Sequence, residues 1–304
     1  MGSALMDPRI FHVWTRNVVM TAQIQVAYLG PIYSYSYLAS LEHFGNTAEY
    51  VPVTTISAVF DAIQSGLANY GVVPLENSTD GRIVDTLNIL AQADIEISAE
   101  INYAIHHNLI ANCEMSNIRE IYSKPQALSQ CRNWIGQNLP DVAIYGASSS
   151  TEAAQKISTT DSAKISGGAA AIASTAAATH FGLTIIASSI QDRATNLTRF
   201  AVLGSDRQSP TGDDKTLLLL ELDHCPGALA DVMVVFKTEN INLTWIESFP
   251  RPNVESEYVF FVEFVGHQLD QSVQRAIDSL QSFTRAVRVL GTYPRATVTG
   301  APTV

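Results

Sequence analysis

Residues 70–78 read Tyr-Gly-Val-Val-Pro-Leu-Glu-Asn-Ser, and this stretch decides the fold. Its first half, 70–74, is a short apolar run typical of a buried strand, and the turn residues Asp80-Gly81 follow it. Ligands of open α/β sheets bind at the carboxyl ends of the strands. We therefore expect Glu76, Asn77 and Ser78 at a binding edge, although such residues more often serve in loops and helix caps.

Strand-like and helix-like segments alternate on both sides of this stretch. Strands are predicted at 25–29, 48–53 and 70–74, and helices at 34–44, 56–68 and 83–91. This alternation predicts an α/β fold with a mostly parallel sheet and helices on both of its faces.

A second lobe is predicted where the alternation breaks. Two extended runs, 95–101 and 103–110, cross to it, and the chain returns through 183–204. The lobe itself would contain strands at 118–122 and 142–145, helices at 126–135 and 151–157, and an alanine-rich helix at 169–180. Two lobes joined by two crossings form a periplasmic-binding-protein-like unit with an interlobe cleft, the usual place for a small ligand.

The domain boundaries follow from this pattern. Lobe 1 covers about 24–100 and 183–204, lobe 2 about 101–182, and the polar stretch 205–214 is a linker. The pattern then resets to βαββαβ, the ferredoxin-like order, over 215–293: strand 216–222, helix 226–238, strands 242–247 and 257–264, helix 269–280 and strand 286–293. Residues 1–23 and 294–304 are tails, and we expect the second to be disordered.

The composition indicates a globular protein, with 46% hydrophobic residues, 15% charged residues and a net charge of −11. The sequence has neither the basic face that binds nucleic acid nor the ~20 consecutive apolar residues of a membrane helix. Cys113, Cys131 and Cys225 share no close spacing, which argues against disulfides and a zinc site and favours the reducing cytoplasm. Residues 1–23 lack the continuous apolar region of a signal peptide.

Two further motifs place polar side chains at strand ends. In Ser123-Lys124-Pro125-Gln126 a strand leads into a helix that begins near Pro, an arrangement suited to binding a carboxylate. Thr198-Arg199-Phe200 enters another strand. Taken singly, the first motif is also typical of an ordinary strand-to-helix turn, and Thr198 of a β-branched strand former.

In their joint order, the motifs resemble the prephenate dehydratase family between Ile24 and Tyr293. The matches are Gly30-Pro31 with Tyr35-Ser36 and Ala39, Pro74-Leu75-Glu76-Asn77-Ser78, Pro125-Gln126-Ala127-Leu128, Ala170-Ala171-Ile172-Ala173-Ser174, Ile190-Gln191-Asp192 and Asn196-Leu197-Thr198-Arg199-Phe200. The C-terminal unit resembles an ACT regulatory domain, with Pro226-Gly227-Ala228-Leu229 and Ile246-Glu247-Ser248. Only about 23 residues precede the dehydratase part, so we expect a monofunctional enzyme without a fused chorismate mutase.

The resemblance implies the decarboxylating dehydration of prephenate to phenylpyruvate, a step of L-phenylalanine biosynthesis that needs no cofactor. It implies a catalytic set of Thr198, Glu76, Asn77 and Gln126, with Thr198 as hydrogen-bond donor to the departing hydroxyl. Candidate substrate-binding residues are Ser34, Ser36, Ser78, Ser123, Lys124, Arg199 and Phe200. We expect no metal, since the neighbours His106 and His107 would point to opposite faces of a strand.

The resemblance also implies feedback inhibition by L-phenylalanine at the ACT domain. The implied regulatory residues are Pro226, Gly227, Ala228, Leu229, Glu247 and Ser248, and pairing of ACT domains implies a homodimer or homotetramer.

Three positions depart from the family pattern. Tyr33-Ser34 stands where the family has Gly-Thr, Lys124 where it has His, and Phe249 where the ACT motif has Arg. We expect Tyr33 to narrow the cleft and Lys124 to strengthen anion binding. Because of Phe249, the alternative stays open that the ACT domain only dimerises and does not bind L-phenylalanine.

Two other functions stay open on the sequence alone. One is arogenate dehydratase, which runs the same reaction on the amino-acid version of the substrate. The other is a non-catalytic small-molecule binding or sensor protein with the same two-lobed cleft.

Overall fold

A computed structural model describes residues 23–159, 168–250 and 258–300. The predicted N-terminal tail, apart from Gln23, lies outside these residues, as does Arg251. Among the described residues, each helix is too short or too polar to span a lipid bilayer.

Lobe 1 begins with the predicted alternation of strands and helices. Its elements are β1 (Gln25–Leu29), α1 (Tyr35–Phe44), β2 (Glu49–Val53), α2 (Ile56–Gln64), β3 (Tyr70–Asn77), β4 (Gly81–Arg82), α3 (Val84–Gln92) and β5 (Ile97–Ala104). Ser34 and Thr55 start α1 and α2, because their hydroxyls accept the backbone N–H of Tyr37 and Ala58. β1 pairs in parallel with both β2 and β3, as the alternation predicts.

Lobe 2 is built on a separate five-stranded sheet. Its elements are β6 (Asn108–Ala111), β7 (Ile118–Ser123), α4 (Pro125–Gln130), α5 (Arg132–Asn138), β8 (Ala143–Gly146), α6 (Ser150–Thr159), β9 (Gly168–Ala173), α7 (Thr175–Phe181) and β10 (Thr184–Ala187). The predicted two-lobed architecture is therefore confirmed.

The predicted alanine-rich helix over 169–180 is wrong in its first half. Residues 168–173 form β9, which lies between β6 and β7 in the middle of the sheet, and the helix α7 begins only after Ser174. The side chains of Ala170 and Ala171 are fully buried, so packing between neighbouring strands overrides the helix propensity of alanine.

The two crossings between the lobes lie at 105–107 and 188–196, a few residues beyond the predicted boundaries. After the second crossing, β11 (Leu197–Leu203) returns to lobe 1 and pairs with β3 and β5. The crossings are bonded to each other, since Ile105 N–H donates to Asn196 O at 2.8 Å and Ile190 N–H donates to His107 O at 2.7 Å.

The C-terminal unit has the predicted βαββαβ order. Its elements are β12 (Asp214–Glu221), α8 (Ala228–Thr238), β13 (Leu243–Pro250), β14 (Tyr258–Val265), α9 (Gln271–Leu280) and β15 (Ala286–Pro294). They form the order β13-β14-β12-β15, and one pairing of Gly291 with Ile97 continues this sheet into β5 of lobe 1.

The predicted disordered tail is wrong for residues 294–300. A short strand, β16 (Val298–Thr299), pairs in parallel with β5 at Asn102 and Tyr103. The Asn102 side-chain amide also donates to Ala296 O at 3.0 Å. Free backbone groups along β5 thus give this polar segment hydrogen-bond partners that the sequence does not reveal.

Candidate active site

The candidate site lies where the end of β3 meets the start of β11. In the antiparallel register of these strands, Asn77 is directly opposite Thr198. Both side chains are largely buried, with Asn77 4% and Thr198 9% exposed. The structure therefore brings together two of the residues that the sequence placed in the catalytic set.

The Thr198 hydroxyl accepts a hydrogen bond from the side-chain amide of Asn77, with Nδ2 at 2.9 Å from Oγ1. The orientation of that amide is fixed, because Asn77 Oδ1 accepts the backbone N–H groups of Thr79 at 2.9 Å and Asp80 at 3.2 Å. Asn77 must therefore present its NH2 group to Thr198. The single hydroxyl hydrogen of Thr198 is left free to donate elsewhere.

A chain of amides extends from Asn77 into lobe 2. Asn77 Nδ2 donates to Asn196 Oδ1 at 3.0 Å, and Asn196 Nδ2 donates to Gln130 Oε1 at 2.9 Å. Gln130 Nε2 then donates to the Asp80 carboxylate at 2.7 Å, and Gln126 donates to the same carboxylate. Asp80 and Asn77 belong to lobe 1 and Gln126 and Gln130 to lobe 2, so this chain of hydrogen bonds spans the cleft and links the two lobes.

His107, in the first crossing between the lobes, is the last member of this chain of hydrogen bonds. Its Nε2 lies 2.7 Å from Gln130 Oε1, and since that oxygen can only accept, Nε2 carries the hydrogen. Burial lowers the pKa of His107, which keeps the imidazole neutral near pH 7. No group of three His, Cys, Asp or Glu side chains that could hold a metal ion occurs in the part of the chain that the structure describes.

The structure places Glu76 and Arg199 on the other face of the same strands, contrary to their predicted roles in catalysis and substrate binding. Successive side chains of a strand point to opposite faces, so Glu76 and Arg199 diverge from Asn77 and Thr198. Glu76 forms an ion pair with Arg82, whose guanidinium lies 4.1 Å from the ring centroid of Trp245 in the C-terminal unit.

Arg199 is buried in a cluster of charges between lobe 1 and the C-terminal unit. Its guanidinium bonds to Glu263 of β14, and its Nε lies 2.6 Å from Glu100 of β5. Lys215 lies 3.1 Å from Glu100 and 3.6 Å from Glu263, which balances the two carboxylates with two cations.

The directions of the pKa shifts of Glu263 and Arg199 indicate that both side chains are charged in this cluster. Burial alone would raise the pKa of Glu263, but Arg199 and Lys215, with the Thr244 hydroxyl, hold it below its usual value. Burial works against the charge of Arg199, but the Tyr293 hydroxyl, Glu263 and Glu100 outweigh it and raise the pKa.

Four of the predicted substrate-binding residues have structural contacts instead. Ser34 caps α1, and its hydroxyl donates to Leu29 O at 3.1 Å. The Ser78 hydroxyl accepts the N–H of Leu197 at 2.9 Å, which ties β3 to β11. The Ser123 hydroxyl is fully buried and donates to Ile172 O at 2.7 Å, and the Phe200 ring packs in the core of lobe 1.

The remaining two predicted binding residues differ in position. Ser36 is buried in α1, and its carbonyl accepts the hydroxyl of Ser40 at 2.7 Å. Lys124 is exposed immediately before α4, the helix that carries Gln126. Of the predicted cations, Lys124 is the one that adjoins the helix bonded to Asp80 across the cleft.

The sequence interpretation missed Gln130, Asp80 and His107 as members of the site. Gln130 lies four residues after Gln126 in one helix, and residues at that spacing share a face, so the pattern contained the signal. The sequence pattern predicts only a turn at Asp80, and the adjacent pair His106-His107 points only to the question of a metal site.

A second candidate site lies at the start of α8 in the C-terminal unit. A pocket there is lined by Ala228, Leu229, Tyr258 and Phe260, together with residues 222–225. Pro226 and Gly227 belong to the turn just before the helix, and Gly227 adopts a left-handed φ of 92° as its cap. Glu247 and Ser248 lie on the neighbouring strand β13, where Ser248 is opposite Phe260.

Phe249 points away from this pocket. Its ring packs edge-to-face on Phe261 at 5.7 Å, within the core that the C-terminal unit shares with lobe 1. The substitution of the family's Arg at this position therefore leaves the pocket walls unchanged.

Comparisons with known proteins agree with this architecture. Residues 26–208 match the family model of prephenate dehydratase. A bifunctional chorismate mutase/prephenate dehydratase from Aquifex aeolicus is 40% identical over 301 residues, which cover 97% of this chain and 81% of that protein.

Two solved structures are also similar. The prephenate dehydratase of Arthrobacter aurescens in complex with L-Phe has a TM-score of 0.82 and 29% identity, covering 92% of each chain. GqqA, described as a novel type of quorum quenching acylase, has a TM-score of 0.80 and 26% identity, covering 90% of this chain and 98% of its own.

The family match decides between the enzyme and the non-catalytic binding protein that share a two-lobed cleft. The chain therefore belongs to the prephenate dehydratase family, and it is a hydro-lyase that converts prephenate to phenylpyruvate with loss of water and CO2.

Proposed function

We propose that the Thr198 hydroxyl donates a hydrogen bond to the departing hydroxyl of prephenate. The observation that supports this role is the 2.9 Å bond from Asn77 Nδ2 to Thr198 Oγ1, which leaves the hydroxyl hydrogen of Thr198 available to the substrate. A hydroxyl that already accepts a hydrogen bond is a stronger donor, because neighbouring hydrogen bonds polarise one another.

The reaction balances with one proton taken up. The ring C–O bond breaks and its oxygen leaves as water, while the C–C bond to the ring carboxylate breaks and its electron pair completes the aromatic ring. Because a threonine hydroxyl is a poor acid, Thr198 acts by hydrogen bonding and the net proton comes through a relay of water.

The neutral amides of the cleft suit the loss of CO2. A carboxylate held near Asn77, Asn196 and Gln126 would meet neutral amides, and among the described residues none of these partners is a cation, which favours its conversion to neutral CO2. Lys124 at the cleft side is the candidate partner for the other carboxylate, on the substrate side chain. Glu76 and Arg199 have no direct part in this proposal.

Substitution at Thr198 tests the role. Thr198→Val keeps the shape of the side chain and removes the hydroxyl, and we expect turnover of prephenate to fall about 10²- to 10³-fold, the usual loss for one transition-state donor. Thr198→Ser keeps a hydroxyl and should retain most of the activity. Turnover by Thr198→Val within about threefold of the parent, less than ~1 kcal/mol of barrier, would rule out the donor role.

We also propose that L-phenylalanine binds the C-terminal unit at the start of α8 and inhibits the enzyme. Tyr258 and Phe260 give the pocket apolar walls for an aromatic ring, and a helix start favours a carboxylate. Calorimetry should detect binding to the parent and to Thr198→Val, but not to a variant with Leu229→Trp, which fills the pocket. Absence of binding to the parent would leave the domain with a dimerising role alone.

We further propose a cytoplasmic homodimer or homotetramer that pairs through these C-terminal domains and, since its relatives are named for prephenate, a preference for prephenate over arogenate. Light scattering on the purified protein, cell fractionation and side-by-side kinetics on both substrates test these three points. A monomer, a secreted protein or a higher kcat/KM on arogenate would each contradict the corresponding point.

A further inference from the structure

The loop between β1 and α1 of lobe 1 carries one residue, Tyr33, whose side chain packs in lobe 2. Tyr33 belongs to lobe 1 by sequence, but its ring packs against the hydrophobic core of lobe 2 that includes Ala177 and Ala178 of α7. The ring lies 4.2 Å from the His180 ring, centroid to centroid, at an interplanar angle of 31°. Tyr33 therefore bridges the two lobes at the carboxyl edge of the lobe 1 sheet.

The backbone of Tyr33 is held in an unfavourable conformation. Its φ is 67°, in the left-handed region that residues other than glycine seldom adopt. The Ser174 hydroxyl, at the start of α7, donates to Tyr33 O at 3.3 Å, so lobe 2 also holds the backbone. A strained residue persists when the surrounding structure stabilises it. Tyr33 has one ring contact within lobe 1, edge-to-face on Tyr37 at 5.6 Å, and its other stabilising contacts come from lobe 2.

The position of this bridge matches that of the amide chain. β1 and β3 are neighbours in the sheet, and the loops that follow them carry Tyr33 and Asp80. Asp80 bonds to Gln126 and Gln130 of lobe 2, so the two bridges close the cleft at adjacent points of one sheet edge. Thr198 lies at that same edge, opposite Asn77 at the end of β3.

We propose that Tyr33 is a latch that holds the lobes closed over Thr198, and so a positioning residue for the dehydratase reaction. Its ring favours the closed conformation through its contacts with His180 and the core of lobe 2, which exist only when the lobes meet. Apparent substrate affinity falls in proportion to the fraction of protein in the binding-competent state. The latch therefore sets KM for prephenate, and the chemical step at Thr198 proceeds at its usual rate once the cleft is closed.

Four variants test the latch. Tyr33→Gly removes the ring and allows the left-handed backbone, whereas Tyr33→Phe keeps the ring and removes a hydroxyl that has no hydrogen bond to another described residue. His180→Ala removes the partner ring from the other lobe, and the double variant Tyr33→Gly/His180→Ala measures their coupling.

We expect Tyr33→Gly to raise KM for prephenate about two- to twelvefold, the range for loss of an aromatic pair, with kcat within about twofold of the parent. Tyr33→Phe should match the parent. The double variant should show less than the product of the two single effects, and thermal unfolding should confirm that each variant is folded.

Hydrogen exchange without substrate separates a latch from a substrate contact. Exchange at the crossings, residues 105–107 and 188–196, should be faster in Tyr33→Gly than in the parent. An unchanged KM in Tyr33→Gly, independent effects in the double variant, or unchanged exchange at the crossings would overturn the proposal.

Discussion

Replacement of Asn77 by Asp should disable the site while leaving its shape intact. In the parent, Asn77 donates to Thr198 Oγ1 at 2.9 Å and to Asn196 Oδ1 at 3.0 Å, and it accepts two backbone N–H groups. An aspartate keeps both accepted bonds but has no hydrogen to donate. The Thr198 hydroxyl would then turn its own hydrogen to the new carboxylate, away from the substrate.

The size of the effect follows from that competition. A hydrogen bond to a charged group contributes about 1.5–3 kcal/mol, so withdrawing the Thr198 hydrogen should slow the chemical step by about 10- to 150-fold. Loss of the bond to Asn196 adds to this figure. In Asn77→Asp the new carboxylate also faces Asn196 Oδ1, so two acceptors lie opposite each other. We expect this contact to lower the melting temperature of the variant by a few degrees.

The assay is the absorbance of phenylpyruvate formed at saturating prephenate by Asn77→Asp. Asn102→Asp is the control, since Asn102 is a half-buried strand residue whose side-chain amide also donates a hydrogen bond, at 3.0 Å, but to Ala296 O in the C-terminal segment. We expect the control to keep a kcat within about twofold of the parent. A kcat for Asn77→Asp as high as that of the control would refute the assigned direction of the Asn77–Thr198 bond.

Three further predictions concern the charge cluster, the substrate and the domain junction. Glu263→Gln should lower the free energy of unfolding at pH 7 by about 3 kcal/mol, since it breaks a buried ion pair. The folded-state pKa of Glu263 is depressed, so this stability is present above the unfolded-state pKa and is lost as pH falls through the folded-state pKa. Urea titrations should therefore show that the difference in unfolding free energy between parent and variant becomes smaller in acid. A difference that becomes larger in acid would contradict the ion pair. Lys124→Gln should raise KM for prephenate about three- to tenfold, whereas Lys237→Gln on the exposed face of α8 should not, and equal KM values for both would remove Lys124 from the site. Gly291→Ala should lower the melting temperature, because a Cβ there would lie 2.2 Å from Ile97 O. Gly136→Ala in α5 should not lower it, because a Cβ there has nothing within 4 Å. An unchanged melting temperature for Gly291→Ala would refute the close strand junction.

Much of the fold could be predicted from local patterns. The alternation of strands and helices in lobe 1 and the βαββαβ order of 215–293 each follow from periodicity and turn residues, and both are present. The strand β9 could not be predicted in this way, because the alanines of Ala170-Ala171 favour a helix and only their central place in a sheet decides otherwise.

The candidate site could be predicted in part. The motifs predict Asn77, Thr198 and Gln126 at one site, and all three lie at edges that face the cleft. The same motifs also predict Glu76 and Arg199 at this site, but strand alternation puts both side chains on the opposite face. Their contacts there, with Arg82 and with Glu263, depend on how distant segments pack. Polar groups in a shared motif need not share a site.

The most direct test of the central claim is a single-turnover measurement on Thr198→Val with excess enzyme over prephenate. We predict that prephenate still binds within about threefold of the parent affinity, whereas phenylpyruvate forms about 10²- to 10³-fold more slowly. Formation of phenylpyruvate at the parent's rate, with binding unchanged, would contradict the assignment of Thr198 as the hydrogen-bond donor to the leaving hydroxyl.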